Sequence, residues 1–259
     1  MSLEGGSDEQ YTGWRGSNAP AGAIARIEPT GKHQRMVNTA EPAWASLKIN
    51  HARQLVNRDE TAESWFPDGT RVLTTSTIND DALDDLSVAE EAELVEAFEP
   101  DAHVGGDVSV YPDYLPDRRA ELIEESMKNA LWLEGEIEAD TLILPLIKGI
   151  TQSERELCYL ALKYFDHNYA AVYATRYFTA GEGCNIYDLI DGVSEIDREC
   201  SANIVLLGVL SPILQKMPDC VTAAAGFNGW HKRISLSDSE QRIRREWDEI
   251  EAGVSDWLD

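Results

Sequence analysis

The sequence has little positive charge, few cysteines and no long apolar segment. Its 259 residues include 22 Lys and Arg against 47 Asp and Glu, which gives a net charge of −25. This deficit of cations excludes a simple basic nucleic-acid-binding module and a polybasic membrane-binding protein. No apolar run approaches the roughly 18 residues that a membrane helix requires. Hydrophobic residues make up 43% of the chain, so we expect it to fold around a sizeable core.

Lysine is scarce even among the basic residues, and the acidic residues are spread along the whole chain. The sequence contains 7 lysines and 15 arginines. A carboxylate-rich, lysine-poor surface stays hydrated in concentrated salt, which screens its self-repulsion. We therefore expect a halophilic protein rather than a merely acidic one. The first residues lack a basic region followed by an apolar one, so we expect no signal peptide and a cytoplasmic location.

The four cysteines form no metal-binding or disulfide pattern. They lie far apart, without a Cys-x-x-Cys pair, at Cys158, Cys184, Cys200 and Cys220. We expect free, buried thiols. No Gly-x-Gly-x-x-Gly segment follows a predicted strand, so the signature of a dinucleotide-binding site is missing. We predict no metal and no cofactor.

Short apolar segments alternate with helix-length segments through most of the chain. Six segments have the composition of buried strands, at residues 72–75, 102–104, 141–147, 170–174, 204–208 and 221–225. Two weaker strand candidates precede them, at residues 23–27 and 47–56. The predicted helices lie between the strands, at residues 89–98, 116–137, 153–165, 186–196 and 212–217. This order predicts a compact (β/α)8 barrel, with an open doubly wound α/β sheet as the alternative.

The two ends of the chain differ from the predicted barrel domain at residues 21–234. Residues 1–20 are acidic and rich in glycine, without an apolar period, which is typical of a flexible tail. Residues 235–259 carry apolar side chains at three- and four-residue steps, at Ile243, Trp247, Ile250, Val254 and Trp257. This spacing predicts an amphipathic helix that packs on the barrel.

Candidate functional residues follow the predicted strands, where the active sites of (β/α)8 barrels lie. Asp107 follows two glycines, and its carboxylate can accept from the N–H edge of a purine-like base. Lys148 ends an apolar strand, where its ammonium can meet a phosphate or a carboxylate. Arg176 and Tyr177 can stack on a base or clamp a phosphate. Glu182 has the carboxyl group of a general acid or base.

Several of these segments resemble the tRNA-guanine transglycosylase family, including its relatives that put 7-deazaguanine bases into DNA. Residues 144–149, Leu-Pro-Leu-Ile-Lys-Gly, resemble the family's strand end Pro-Val-Val-Gln-Gly-Gly. Residues 174–182 resemble its Ala-Ile-Gly-Gly-Leu…Val-Gly-Glu loop, and residues 206–212 its Leu-Met-Gly-Val-Gly-Thr-Pro segment. In the order along the chain, residues 72–76 correspond to the family's Leu-Thr-Asp-Ser-Gly-Gly segment. Residues 218–221 correspond to its Gly-Val-Asp-Met-Phe segment. The likeness covers residues 70–234 and rests on order and spacing more than on identity.

The resemblance implies a (β/α)8 barrel that exchanges a guanine or 7-deazaguanine base in tRNA or DNA. It implies that Asp107 recognises the base and that Lys148, Gly149, Arg176 and Tyr177 line the same pocket. The expected partners are a nucleic acid, a purine-like base and a homologous catalytic subunit. We expect no membrane partner.

The departures from the family concern its catalytic residues. By resemblance the family uses two aspartates, and our pairing puts Thr75 and Thr222 at their places. A carboxylate can attack an anomeric carbon at pH 7, whereas a threonine hydroxyl needs an activating base. The family's zinc-binding cysteine cluster is also missing. The chain is then either a divergent exchange enzyme or a non-catalytic partner subunit. If the pairing with the family's segments is shifted by a few residues, Asp80, Asp81 or Asp219 could supply the carboxylate.

Two alternatives come from other functional classes. One is a small-molecule lyase or aldolase with Lys148 as a Schiff-base amine, because a desolvated lysine at a strand end can form an imine. The other is a non-catalytic interaction protein that docks through its C-terminal helix. Borohydride trapping of a carbonyl ligand on Lys148 would support the first alternative. Loss of a partner on deletion of residues 235–259 would support the second.

Overall fold

Eight parallel strands form a closed barrel in the computed structural model, which describes residues 19–178 and 185–258. The strands are β1 (Gly22–Arg26), β2 (Trp44–Lys48), β3 (Arg71–Thr75), β4 (Ala102–Gly105), β5 (Leu142–Ile147), β6 (Tyr169–Tyr173), β7 (Asn203–Leu207) and β8 (Val221–Gly226). Each strand pairs with the next one along the chain, and β8 closes the barrel against β1 with Ile24 opposite Ala225. The predicted (β/α)8 barrel is confirmed, and the open doubly wound sheet is excluded.

Helices follow the strands and cover the outside of the barrel. They are α1 (Gly31–Ala40), α2 (Ile49–Val56), α3 (Ala62–Trp65), α4 (Asp80–Asp84), α5 (Val88–Phe98), α6 (Pro116–Glu136), α7 (Gln152–Leu162), α8 (Ile186–Cys200), α9 (Asn228–His231) and α10 (Glu240–Leu258). Short 3-10 helices span Thr175–Phe178 and Pro212–Lys216. Reciprocal hydrogen bonds of the capping-box type fix the starts of α5, α7 and α8, at Ser87, Thr151 and Asn185.

The strands bury side chains on both of their faces. Ile24, Leu73 and Leu144 pack with one another inside the barrel. Their neighbours Ala25 and Val72 face outward and pack with the helices. Two buried faces explain why the strands are continuously apolar in the sequence instead of alternating with polar residues.

The predicted strand at residues 47–56 is wrong. Strand β2 ends at Lys48, and the chain continues directly into helix α2. The buried residues of α2 are Ile49, Ala52 and Leu55, and their three-residue spacing belongs to a helix. The other predicted elements are present and differ at their ends; for example, α7 stops at residue 162 and α8 runs to residue 200. Helices α1, α3, α4 and α9 were not predicted.

Helix α10 packs over the seam where β1 meets β8. Its residues Ile243, Trp247, Ile250 and Val254 are buried, and the helix contacts α1, β1 and β8. It begins at residue 240, because residues 235–239 form an irregular connection. The amphipathic helix expected here is therefore present. Residues 1–18, most of the predicted tail, lie outside the described residues.

Candidate functional site

A cavity of about 430 Å3 lies at the carboxyl ends of the strands. The loops that follow β3, β4, β5 and β6 form its walls, because parallel strands present their carboxyl ends at one face of a barrel. The size suits a small-molecule ligand, since such sites typically span about 300–1,000 Å3. The cavity brings together five of the predicted site residues, namely Asp107, Lys148, Gly149, Arg176 and Tyr177.

An ion pair joins the ends of β4 and β5 inside this cavity. The Lys148 ammonium donates to the Asp107 carboxylate and to the backbone carbonyl of Val108. Each of the two charged side chains is only 11% exposed. Burial raises the pKa of the Asp107 carboxyl, and the adjacent Lys148 opposes this shift. The two strongest single candidates from the sequence therefore form one unit.

A buried polar network holds the loop that carries Asp107. The Glu91 carboxylate contacts Nε2 of His103 at 2.9 Å and accepts from the Gly106 N–H at 3.3 Å. Nδ1 of His103 lies 2.8 Å from the Thr74 hydroxyl. Gly106 has a φ of +71°, and a Cβ there would lie 2.5 Å from the backbone nitrogen of Ala130. Glycine is required at this position, and the network fixes the direction in which the chain leaves β4.

The loop after β3 contributes a second carboxylate to the cavity, at Asp80. This carboxylate accepts from the Ser109 hydroxyl at 2.8 Å and from the Tyr111 hydroxyl. The hydrogen bond from Tyr111, followed by that from Ser109, lowers the pKa of the Asp80 carboxyl. The two carboxylates of the cavity are thus pushed in opposite directions: Asp80 stays ionised, while burial favours the neutral form of Asp107.

Arg176 and Tyr177 follow β6 and form the opposite wall. The Arg176 guanidinium lies 4.6 Å from the centre of the Tyr177 ring and donates to the Tyr177 hydroxyl. It also donates to the Gly149 carbonyl at 3.4 Å. Beside them, Arg155 makes a two-pronged ion pair with Glu195, with distances of 2.9 and 2.6 Å. The result is a planar cation on an aromatic ring, beside an anchored arginine.

The structure separates Thr75 and Thr222, the two threonines that the sequence resemblance pairs with catalytic aspartates. Thr75 ends β3, lies in the mouth of the barrel and contacts the Thr77 hydroxyl at 3.0 Å. Thr222 lies near the opposite, amino-terminal end of β8, with its hydroxyl buried and unpartnered. Asp219 precedes β8 at that same end. Neither Thr222 nor Asp219 lines the cavity, so the predicted pair of catalytic positions is not assembled by this fold.

The remaining candidates divide between the exposed surface and the undescribed segment. Asp81 is exposed beside Asp80 and does not line the cavity. Glu182 and Cys184 lie outside the described residues. Within residues 19–178 and 185–258, no group of three His, Cys, Asp or Glu side chains is placed to hold a metal ion. The three described cysteines are free, and burial raises the pKa of the Cys158 thiol to about 11.

Sequence reasoning missed two cations, Arg26 and Lys48, at the centre of the barrel mouth. They are the last residues of β1 and β2, so the same strand-end rule would have found them. The predicted strand at residues 47–56 put Lys48 at a strand beginning, which hid it. Arg26 lies near the end of the weaker predicted strand at residues 23–27, and this strand end was not considered.

The charge balance of the mouth is opposite to that of the whole chain. The described residues that line its two adjoining cavities include five of the 22 basic residues and only two of the 47 acidic ones. The five basic residues are Arg26, Lys48, Lys148, Arg155 and Arg176. A cationic cavity in a strongly acidic protein favours an anionic ligand.

No protein-family model matches the chain, and a comparison with curated proteins finds no significant match. In the described part of the chain, no helix combines the length and the apolar character needed to cross a membrane.

Proposed function

We propose that this chain binds a guanine-like base in the cavity and exchanges such a base in a nucleic acid, as tRNA-guanine transglycosylases do. The observation that carries the proposal is that Asp107 lies in one cavity with the Arg176–Tyr177 pair. A carboxylate accepts well from the adjacent ring N–H and amino groups of guanine. An aromatic ring or a guanidinium offers a flat surface on which a base stacks.

The nucleophile in this proposal is Asp80. The hydrogen bonds from Tyr111 and Ser109 keep its carboxylate ionised, and it lines the same cavity as Asp107. One carboxylate oxygen attacks the anomeric carbon of the nucleotide, and the base leaves with the bonding electron pair and takes up a proton from water. A ring nitrogen of the incoming base then attacks the same carbon, displaces the carboxylate and loses its proton to water. Asp80 thereby takes the role that the family resemblance had placed at the threonines.

The two alternative functions receive less support from the geometry. A Schiff-base lyase needs the Nζ atom of Lys148 to be free to attack a carbonyl, but this atom is already engaged by the Asp107 carboxylate and the Val108 carbonyl. An interaction protein that docks through α10 needs an available apolar face. Trp247 and Ile250 of that face are already buried in the core of the barrel domain.

The proposal is tested by binding and exchange assays in concentrated KCl. Labelled guanine and labelled 7-deazaguanine are offered with tRNA and with duplex DNA. We expect D107N to lose base binding, and D80N to retain base binding while losing incorporation of the label. D81N is the matched control, because Asp81 adjoins Asp80 and is likewise exposed but does not line the cavity. It should behave like the unmodified protein.

Three results would change this conclusion. Base binding by the folded protein without any exchange would identify it as a non-catalytic partner subunit. Exchange that survives in D80N would remove Asp80 as the nucleophile. If neither base binds to the folded protein, the proposed function is wrong.

A further inference from the structure

Two basic side chains meet at the centre of the barrel mouth, where β1 and β2 end. Arg26 lies opposite Ser46 in the register of the two strands, and Lys48 lies opposite Thr75. All four side chains line a small space of about 30 Å3. This space adjoins the large cavity, because Lys48, Thr77 and Tyr173 line both. It holds about one water-sized group, so one oxygen of a bound anion fits in it and the rest of the anion would lie in the large cavity.

These two cations differ from the other cations of the mouth in their partners. Lys148 is paired with Asp107, and Arg155 with Glu195. Among the ion pairs of the described residues, none includes Arg26 or Lys48. The mouth therefore contains two adjacent positive charges that no carboxylate of residues 19–178 or 185–258 contacts directly.

The electrostatic surroundings of Lys48 are set by β1, by the loop after it and by α2. Burial lowers the pKa of the Lys48 ammonium, and the nearby charge of Arg26 lowers it further. Glu28 opposes this shift. His51 on α2 also faces this group, and burial lowers its pKa, so its ring is neutral at pH 7. A bound anion would favour the charged form of Lys48, because it would offset the repulsion from Arg26 and the cost of burial.

Three small hydroxyl side chains and a glycine lie among the other residues that line this space. The hydroxyls of Ser46, Thr75 and Thr77 line it, and Gly208 closes it from β7. Gly208 has a φ of +96°, and a Cβ there would lie 1.8 Å from the Thr175 hydroxyl oxygen. Helix α2 starts directly after Lys48 without a side-chain cap, so its first backbone N–H groups face the same end of the barrel.

We propose that Arg26 and Lys48 form an anion subsite that binds the phosphate group of a nucleotide whose base lies in the large cavity. This inference rests on the proposed function and extends it from a base to a nucleoside phosphate. Two cations match the charge of a phosphate monoester, and hydroxyls can donate to its remaining oxygens. The shared lining residues Lys48, Thr77 and Tyr173 connect the phosphate position to the base position.

The test compares guanosine, guanosine monophosphate and inorganic phosphate by isothermal titration calorimetry. The variants are R26Q and K48Q, and the control is K128Q, an exposed lysine on α6. Measurements are made at the lowest KCl concentration that leaves the near-ultraviolet circular dichroism of each variant unchanged. We expect the monophosphate to bind about 10- to 100-fold more tightly than guanosine, the value of charge-assisted hydrogen bonds. R26Q and K48Q should each lose this preference. R26Q should also keep the affinity for guanosine, because Arg26 lines only the small space, whereas K128Q should change neither affinity.

The outcomes separate this inference from the proposed function. If guanosine binds and the monophosphate binds no better, the base site stands and the anion subsite is refuted. If guanosine does not bind, but the monophosphate and inorganic phosphate bind to the unmodified protein and not to R26Q, the subsite stands and the base proposal fails. If R26Q and K48Q weaken guanosine and monophosphate equally, the two residues do not form a phosphate subsite.

Discussion

Replacement of Lys148 by methionine tests the contact on which the geometry of the site depends. Methionine has a similar length, so it fills the space while it removes the charge and the hydrogen bonds to Asp107 and Val108. Both charged side chains of the pair are 11% exposed. Removal of one partner from a buried ion pair costs about 3–5 kcal/mol. We expect a loss of this size in the free energy of unfolding, out of a total that is typically about 5–15 kcal/mol.

The loss should depend on pH in a defined direction. Burial raises the pKa of Asp107 in the folded state, and the variant lacks the ammonium that opposes this shift. A raised carboxyl pKa contributes stability below the ordinary pKa, here 3.8, and this contribution is lost as the pH rises through the folded value. The difference in the free energy of unfolding between K148M and the unmodified protein should therefore be small at acidic pH and largest at neutral pH.

Urea unfolding followed by tryptophan fluorescence, at about pH 5 and about pH 8, measures both effects. The double variant D107N/K148M should recover at least about 1 kcal/mol relative to K148M, because no buried charge remains. K128M is the control: Lys128 is exposed and pairs with Glu124 along α6, so the change should stay below about 0.5 kcal/mol. If K148M is as stable as K128M at pH 8, or if the double variant recovers nothing, the reasoning about the ion pair is refuted.

Three further predictions concern the supports of the site and the outer surface. E91A leaves the buried donors of His103 and Gly106 without their acceptor, so it should cost at least about 2 kcal/mol in urea unfolding; a smaller loss would contradict the network. G106A should lower the free energy of unfolding by more than about 1 kcal/mol, because a Cβ there would meet the backbone of Ala130. G135A, at an open position in α6, should raise it by up to about 1 kcal/mol, and equal effects of the two changes would contradict the close approach at residue 106. Burial and a neighbouring aspartate raise the pKa of Glu134 to about 7, so its stabilising contribution is present at acidic pH and lost as the pH rises through about 7. E134Q should therefore be more stable than the unmodified protein at pH 8 but not at pH 4, and identical pH profiles would refute the shift.

The architecture could be predicted from the sequence because the strands are buried on both faces. An apolar segment such as residues 142–147 is recognisable as a buried strand whichever neighbours it pairs with. Such segments between helices predict a parallel sheet, and their number, eight, favours a closed barrel over an open sheet. The second strand was misplaced, because Leu47 and Ile49 are both apolar and the change from strand to helix falls between them. A single residue, Lys48, separates the two-residue spacing of the strand from the three-residue spacing of the buried helix residues.

The site could be predicted only where a functional residue directly follows a strand. This rule found Asp107 and Lys148, but it could not show that their charges pair with each other. Asp80 lies five residues after β3 and belongs to the cavity because Ser109 and Tyr111 reach it from the next loop. Such a contact depends on how two loops fold against each other, which no spacing in the sequence records.

Helix α10 and the β1–β8 pairing have a consequence for the order in which the molecule can be completed during synthesis. Trp230 donates to the carbonyl of Arg26 across 204 residues, and the Ala43 N–H meets Glu251 across 208. A ribosome therefore makes β1 long before β8, which is its second neighbour in the barrel. Until then the edge of β1 and the apolar residues beneath α10 are open to other chains. The interval between the synthesis of β1 and that of α10 is the one in which aggregation competes with closure of the barrel.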